Sequence, residues 1–214
     1  MNFDQIISAL AVYALPLIFA ITLHEAAHAY AAKYFGDNTA YAAGRMSLNP
    51  LRHIDPFGTV LFPILMLVSQ VPLLFGWAKP FRPDTRYFKK ARRDSNFVFV
   101  SGPAANLGIA LACGAAMRFG DFSVLSGELT QNPTPFFLRS VGVANLVICV
   151  FNILPVPNTD GWKLLLNNIN YNAAKKLQEL AMPINIAFLV LLVLGGLSFL
   201  FQPILRVYSN LFGI

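Results

Sequence analysis

His24-Glu25-Ala26-Ala27-His28 lies inside an apolar stretch that runs from Phe3 to Phe35. Three ionisable side chains in such a stretch are costly at membrane depth unless a metal or a partner satisfies them, so their presence marks a site. Residues four apart sit one turn apart on the same helical face. His24 and His28 can therefore offer two imidazole nitrogens to one tetrahedral zinc, while Glu25 points beside the metal toward a bound water. This spacing is that of the catalytic half of a metalloprotease, and it requires a helix around residues 24–28 and a third ligand from elsewhere in the chain.

The rest of the composition sets the surroundings of that helix. Of the 214 residues, 56% are apolar and only 12% charged, against about 25% charged in soluble domains. The chain reads as an all-α integral membrane protein forming a single domain over residues 1–214, without linker, repeat or disordered tail. The net charge of +6 does not point to nucleic acid. The basic residues cluster between apolar segments, where they act as topology signals and contacts to anionic lipid. Cys113 and Cys149 fall in apolar segments and read as small buried residues, neither disulfide-bonded nor metal-ligating. No Lys or Arg precedes Lys33, so the first segment is expected to be retained rather than cleaved as a signal peptide.

Apolar stretches at roughly 5–34, 57–76, 96–118, 136–156 and 181–205 are each near the length of a spanning helix, about 20 residues. The second is interrupted by Gly58, Pro63, Pro72 and Gly76, which favours a segment around 57–80 that enters the membrane and returns. Charge separates this four-span arrangement from the five-span alternative. With a re-entrant segment, thirteen of the sixteen basic residues share one side, leaving Arg118, Arg139 and Arg206 opposite, as the positive-inside rule prefers. The expected result is a multi-pass protein of the cell membrane, with its N-terminus outside and its active site toward the cytosolic face.

The third ligand comes from the far end of the sequence. Asn152-Ile153-Leu154-Pro155-Val156-Pro157-Asn158-Thr159-Asp160-Gly161 ends an apolar span with two prolines, a carboxylate and a glycine. Freed backbone at this depth is tolerated where it lines a cavity. Asp160 can complete a His-His-Asp zinc site with the fourth position left for water, or it can cap the helix that follows. Asn152, about two turns earlier, offers an amide donor to a developing oxyanion. In the third apolar stretch, Ser101-Gly102-Pro103-Ala104-Ala105-Asn106 is followed by Gly108, Ala112 and Ala116 at four-residue steps. That small-residue stripe is expected to pack against the alanines of the first span, with Asn106 making an interhelical hydrogen bond near the site.

Together these motifs resemble the site-2 protease family of zinc intramembrane metalloproteases, in its compact form without a PDZ domain. The resemblance runs from His24-Glu25-x-x-His28, through Gly44-Arg45 and Asn49-Pro50-Leu51-Arg52-His53-Ile54-Asp55-Pro56, to Gly76-Trp77-Ala78-Lys79-Pro80, Ser101-Gly102-Pro103-x-x-Asn106 and the Asn152–Gly161 segment. It implies one zinc per chain held by His24, His28 and Asp160, with Glu25 as general base and Asn152 in oxyanion or substrate binding. It also implies a re-entrant loop ending in Gly76-Trp77-Ala78-Lys79-Pro80. One departure is Thr159, where the family commonly has Leu. The implied activity is endopeptidase cleavage in or near a transmembrane segment of a membrane-protein substrate.

Two further roles concern the substrate. An extended strand at Trp77–Phe81, including Lys79, would hold an unwound substrate by strand addition. His53, outside the catalytic helix, either is solvated or paired with a neighbour such as Asp55, or reaches the site and gates it. The competing class is a non-catalytic membrane scaffold or metal-handling protein that keeps the same fold, against which the intact Glu25 argues.

Overall fold

The computed structural model describes residues 14–61, 64–65, 79, 82–120 and 133–213. Among them the structure is helical without a strand: α1 (Leu15–Tyr34), α2 (Thr39–Ala42), α3 (Ala91–Phe119), α4 (Pro133–Ile153), α5 (Asp160–Asn168), α6 (Tyr171–Glu179), α7 (Ala181–Val193) and α8 (Ser198–Phe212). Short 3-10 turns at Pro50–Arg52 and Thr85–Tyr87 and a π-helical turn at Pro56–Leu61 fill the connection between α2 and α3.

Each long helix starts and stops for local reasons. Pro16 sits in the first turn of α1, where a missing backbone donor is harmless. At the other end of α1, the buried Asp37 carboxylate accepts from the backbone N–H of Thr39 and of Asp84, both at 2.8 Å, and fastens the approach to α3 onto α1. Asp94, in the first turn of α3, reaches back to the N–H of Lys90 at 2.8 Å, satisfying a donor that the helix start leaves open.

Helices α1, α3 and α4 pack against one another and carry the site. His28 and His24 of α1 lie against Gly102 of α3, and Asn106, one turn further along α3, bonds the carbonyl of Ala20, two turns back along α1. The two helices are thus antiparallel. Asn106 also meets Asn145 of α4, whose neighbour Ile148 packs with Ala20 and Ile21, so α4 runs parallel to α1. The chain between Tyr34 and Ala91 consequently leaves and rejoins the bundle at the same end. Helix α8 closes the other end. Its Tyr208 hydroxyl donates to the Ala110 carbonyl at 2.7 Å, and Gly142 and Gly114 leave the room that Tyr208 and Phe212 occupy.

Three expectations change. Among the described residues two helices are long and apolar enough to cross a membrane, Ala91–Phe119 and Phe136–Ile153, with a shorter apolar helix at Ala181–Leu192, fewer than the four or five spans expected. The first expected stretch is described only from residue 14, and the re-entrant stretch lies mostly outside the described residues. The stretch 181–205 is not one helix but two, α7 and α8, broken at Gly195, which adopts φ +72°, a left-handed conformation that glycine reaches without strain. The small-residue stripe of α3 is also displaced: Gly108, Ala112 and Ala116 face outward, while Gly102, Asn106, Ala110, Cys113 and Gly114 form the buried face. Gly108 lies two residues from both Asn106 and Ala110, about 200° around a helix of 3.6 residues per turn, so its row of four-residue steps runs along the side opposite the buried row of Gly102, Asn106, Ala110 and Gly114.

Candidate metal centre

His24 and His28 both lie on the buried side of α1, one turn apart, and Asp160 opens α5 directly beneath them. The distance from Asp160 Oδ2 to His24 Nε2 is 2.8 Å and to His28 Nε2 3.0 Å, and the two Nε2 atoms are 3.0 Å apart. All three side chains are buried, and they form the group of potential ligands that the structure brings together among the described residues.

Two close approaches make this possible. A Cβ on Gly102 would stand 2.5 Å from His28 Nε2 and 2.7 Å from His24 Cε1, so only glycine lets α3 lie against the imidazoles. A Cβ on Gly161 would stand 2.1 Å from the Ile153 carbonyl oxygen, so glycine also lets α5 fold back under the end of α4. The helix start that carries Asp160 is capped by its neighbour. Thr159 Oγ1 accepts from the N–H of Trp162 at 3.2 Å and lies within hydrogen-bonding distance of the Leu154 and Val156 carbonyls, the latter at 2.8 Å. Asp160 is therefore not the cap of α5, and its carboxylate is available to the histidines.

The outer nitrogens of the imidazoles determine what the inner ones can do. His28 Nδ1 lies 2.7 Å from the Val98 carbonyl, which only accepts, so Nδ1 carries the proton. His24 Nδ1 lies 2.7 Å from Asn106 Oδ1. The orientation of that amide is fixed, because Asn106 Nδ2 donates to the Ala20 carbonyl at 3.0 Å and to Asn145 Oδ1 at 2.8 Å, while Asn145 Nδ2 donates to the Val141 carbonyl at 2.9 Å. With both Nδ1 atoms protonated, neutral imidazoles present two Nε2 lone pairs to each other and to a carboxylate oxygen. Three lone pairs in a buried triangle repel unless a cation sits among them. Two imidazoles, one carboxylate and hydrogen-bonded outer nitrogens make up a donor set that fits zinc.

Around this triangle, Glu25 is half-buried, and its Oε2 is enclosed without a hydrogen-bond partner. The Lys163 ammonium donates to Asp160 Oδ1 at 2.9 Å. Asn152, on the last turn of α4, is half-buried and donates to the Ile148 carbonyl of its own helix at 3.0 Å. Asn106 does make the expected interhelical bond, and its oxygen goes to His24. His53 is buried, and its ring pairs through Nε2 with the Ser47 carbonyl at 2.7 Å; it is neither solvated nor part of the ligand group. Lys79 is exposed, its N–H donating to the His53 carbonyl at 2.9 Å, whereas Trp77 lies outside the described residues. Sequence reading did not find Asn145, Val98 or Lys163. The first and last carried a signal, as an amide inside an apolar helix and as a cation three residues after the ligand; the Val98 carbonyl carried none.

The helical bundle and its buried His-His-Asp triangle define a helical protein with a candidate metal centre. The chain is 37% identical over 196 residues to "Putative zinc metalloprotease YwhC" of Bacillus subtilis, covering 89% of this chain and 84% of that protein. It is also 29% identical over 157 residues to "Putative zinc metalloprotease Rip2" of Mycolicibacterium smegmatis, covering 72% of this chain and 55% of the relative. A Rip2 protein of Mycobacterium tuberculosis matches at 29% over 148 residues, 69% of this chain and 53% of that one. The chain therefore spans about half the length of the Rip2 proteins. It belongs to the family of zinc metalloproteases that includes YwhC. No protein-family profile matches it, and no solved structure does.

Proposed function

We propose that this protein is a zinc-dependent intramembrane endopeptidase of the site-2 protease type, acting on peptide bonds in or near transmembrane segments of membrane-protein substrates. The observation that carries the reading is the buried triangle of His24, His28 and Asp160 with the unpartnered Glu25 Oε2 beside it. A site that only stored or carried metal has no use for an enclosed carboxylate outside the ligand group.

His24, His28 and Asp160 would hold the metal. Zinc in such a site supplies Lewis-acid character for a water and for the scissile carbonyl. Glu25 accepts the proton of the attacking water as the new C–O bond forms, and returns it to the amine as the C–N bond breaks. Asn152 would turn an amide donor toward the developing oxyanion, exchanging its bond to Ile148 for one to substrate. Because a helix hides its carbonyls, the substrate has to unwind locally. The segment around Trp77 and Lys79 would receive the unwound strand by strand addition.

The membrane placement rests on the two spanning-length helices and on outward-facing apolar side chains such as Phe97, Leu107, Leu111 and Phe137 along them. The common end at which the chain leaves α1 and rejoins α3 supports a 57–80 segment that returns to the side it came from. The four spans, outside N-terminus and cytosolic-facing site of this reading rest on the clustering of basic residues between the apolar stretches. Glu25→Gln tests the chemistry. Cleavage of a transmembrane reporter should fall by about 10²- to 10⁴-fold while zinc content stays at one per chain. Undiminished cleavage by this variant would refute the proposed general base.

A further inference from the structure

Asp160 divides its two oxygens between different partners. Oδ2 faces the two Nε2 atoms, and Oδ1 takes the Lys163 ammonium at 2.9 Å. The carboxylate is 97% enclosed, whereas Lys163 is 31% exposed and reaches in from the rim. The start of α5 makes no claim on Asp160, because Thr159 serves as its cap. Lys163 is thus the hydrogen-bond partner of Oδ1 among the described residues. A cation beside a cation site is electrostatically unfavourable unless it does something for the ligand between them.

We propose that Lys163 is a positioning residue for the metal centre: by tying down Oδ1 it holds Asp160 to a single-oxygen contact and keeps the position needed by water and substrate open. The inference rests on the metal-centre reading above. A carboxylate released from Lys163 can swing its second oxygen toward the metal, filling that position, or rotate away and weaken binding. Arg at this position can still donate to Oδ1; Met and Gln remove the charge, and Met also removes the donor.

The test uses the full chain in detergent. Zinc affinity is measured by competition with a chromophoric chelator, and the visible absorption of the Co²⁺-loaded protein reports coordination number, for wild type, Lys163→Met, Lys163→Gln and Lys163→Arg. Lys163→Met should bind zinc about 10- to 100-fold more weakly and give a weaker, higher-coordinate cobalt spectrum, with Arg close to wild type on both readouts. If Met does not fold, Gln takes its place, with an expected loss between those of Arg and Met. Wild-type affinity together with a wild-type cobalt spectrum in the uncharged variant would overturn the inference and leave Lys163 as a surface charge of α5, even if its melting temperature fell. Wild type that takes up no zinc would overturn the metal-centre reading itself.

Discussion

The protons on the outer nitrogens of His24 and His28 leave two imidazole Nε2 atoms facing Asp160 in the candidate metal centre. For His24 that proton depends on one amide. Asn106 presents its oxygen to Nδ1 because its nitrogen is held by Ala20 and Asn145. Asn106→Ala should leave the helices in place yet weaken zinc binding by about 10- to 100-fold in a chelator competition; unchanged affinity would mean that the imidazole orients itself. The histidines were legible because their spacing matches the helical repeat, and Asp160 because it is an acid where an apolar span ends. The sequence left open whether Asp160 caps α5, and that answer lay in a hydroxyl, that of Thr159. Thr159, the departure from the family pattern, takes the capping role in this chain, and no spacing rule reports which of two adjacent capping residues does so.

At the scale of elements, α5 brings Asp160 to the two histidines, and its start is set by Thr159 and by the close packing at Gly161. Thr159→Ala removes the cap and should destabilise the protein by about 1 kcal/mol in a denaturant or thermal titration, with weaker zinc binding as the helix start loosens. A stability loss with fully retained affinity would show that α5 is held by Gly161 and Trp162 alone. The contact between α1 and α3 was legible from their small residues, but the face of α3 that makes it was not. Small size at fixed steps identifies a candidate surface, whereas the packed face is decided by what stands opposite: the imidazole edges at Gly102 and the amide pair at Asn106. The break between α7 and α8 escaped for a related reason, because Gly195-Gly196 within an apolar run leaves hydropathy almost unchanged while ending the helix.

For the whole molecule, two segments far apart in the chain, α1 and the start of α5, converge on one point, and a bound cation should act as a cross-link between them. Stripping zinc with a chelator should lower the melting temperature of the detergent-solubilised protein. At free zinc about 100-fold above Kd the loss corresponds to about 2.7 kcal/mol, or roughly 5–10 °C for a chain of this size. Re-addition should restore it, and Asp160→Ala should show no zinc-dependent shift; a melting temperature indifferent to zinc in wild type would contradict this. The antiparallel packing of α1 and α3 brings the two ends of the chain between them to one end of the bundle, a relation that hydropathy alone does not report. The separations within the triangle also set an order of events. Asp160 follows His24 by 136 residues and His28 by 132, so at about 5–20 residues per second the ribosome delivers the last ligand on the order of ten seconds after the first two. During that interval the nascent chain carries an incomplete centre. On the proposed function, such a chain would be proteolytically silent while its own helices, the peptide bonds closest to the centre, take their places.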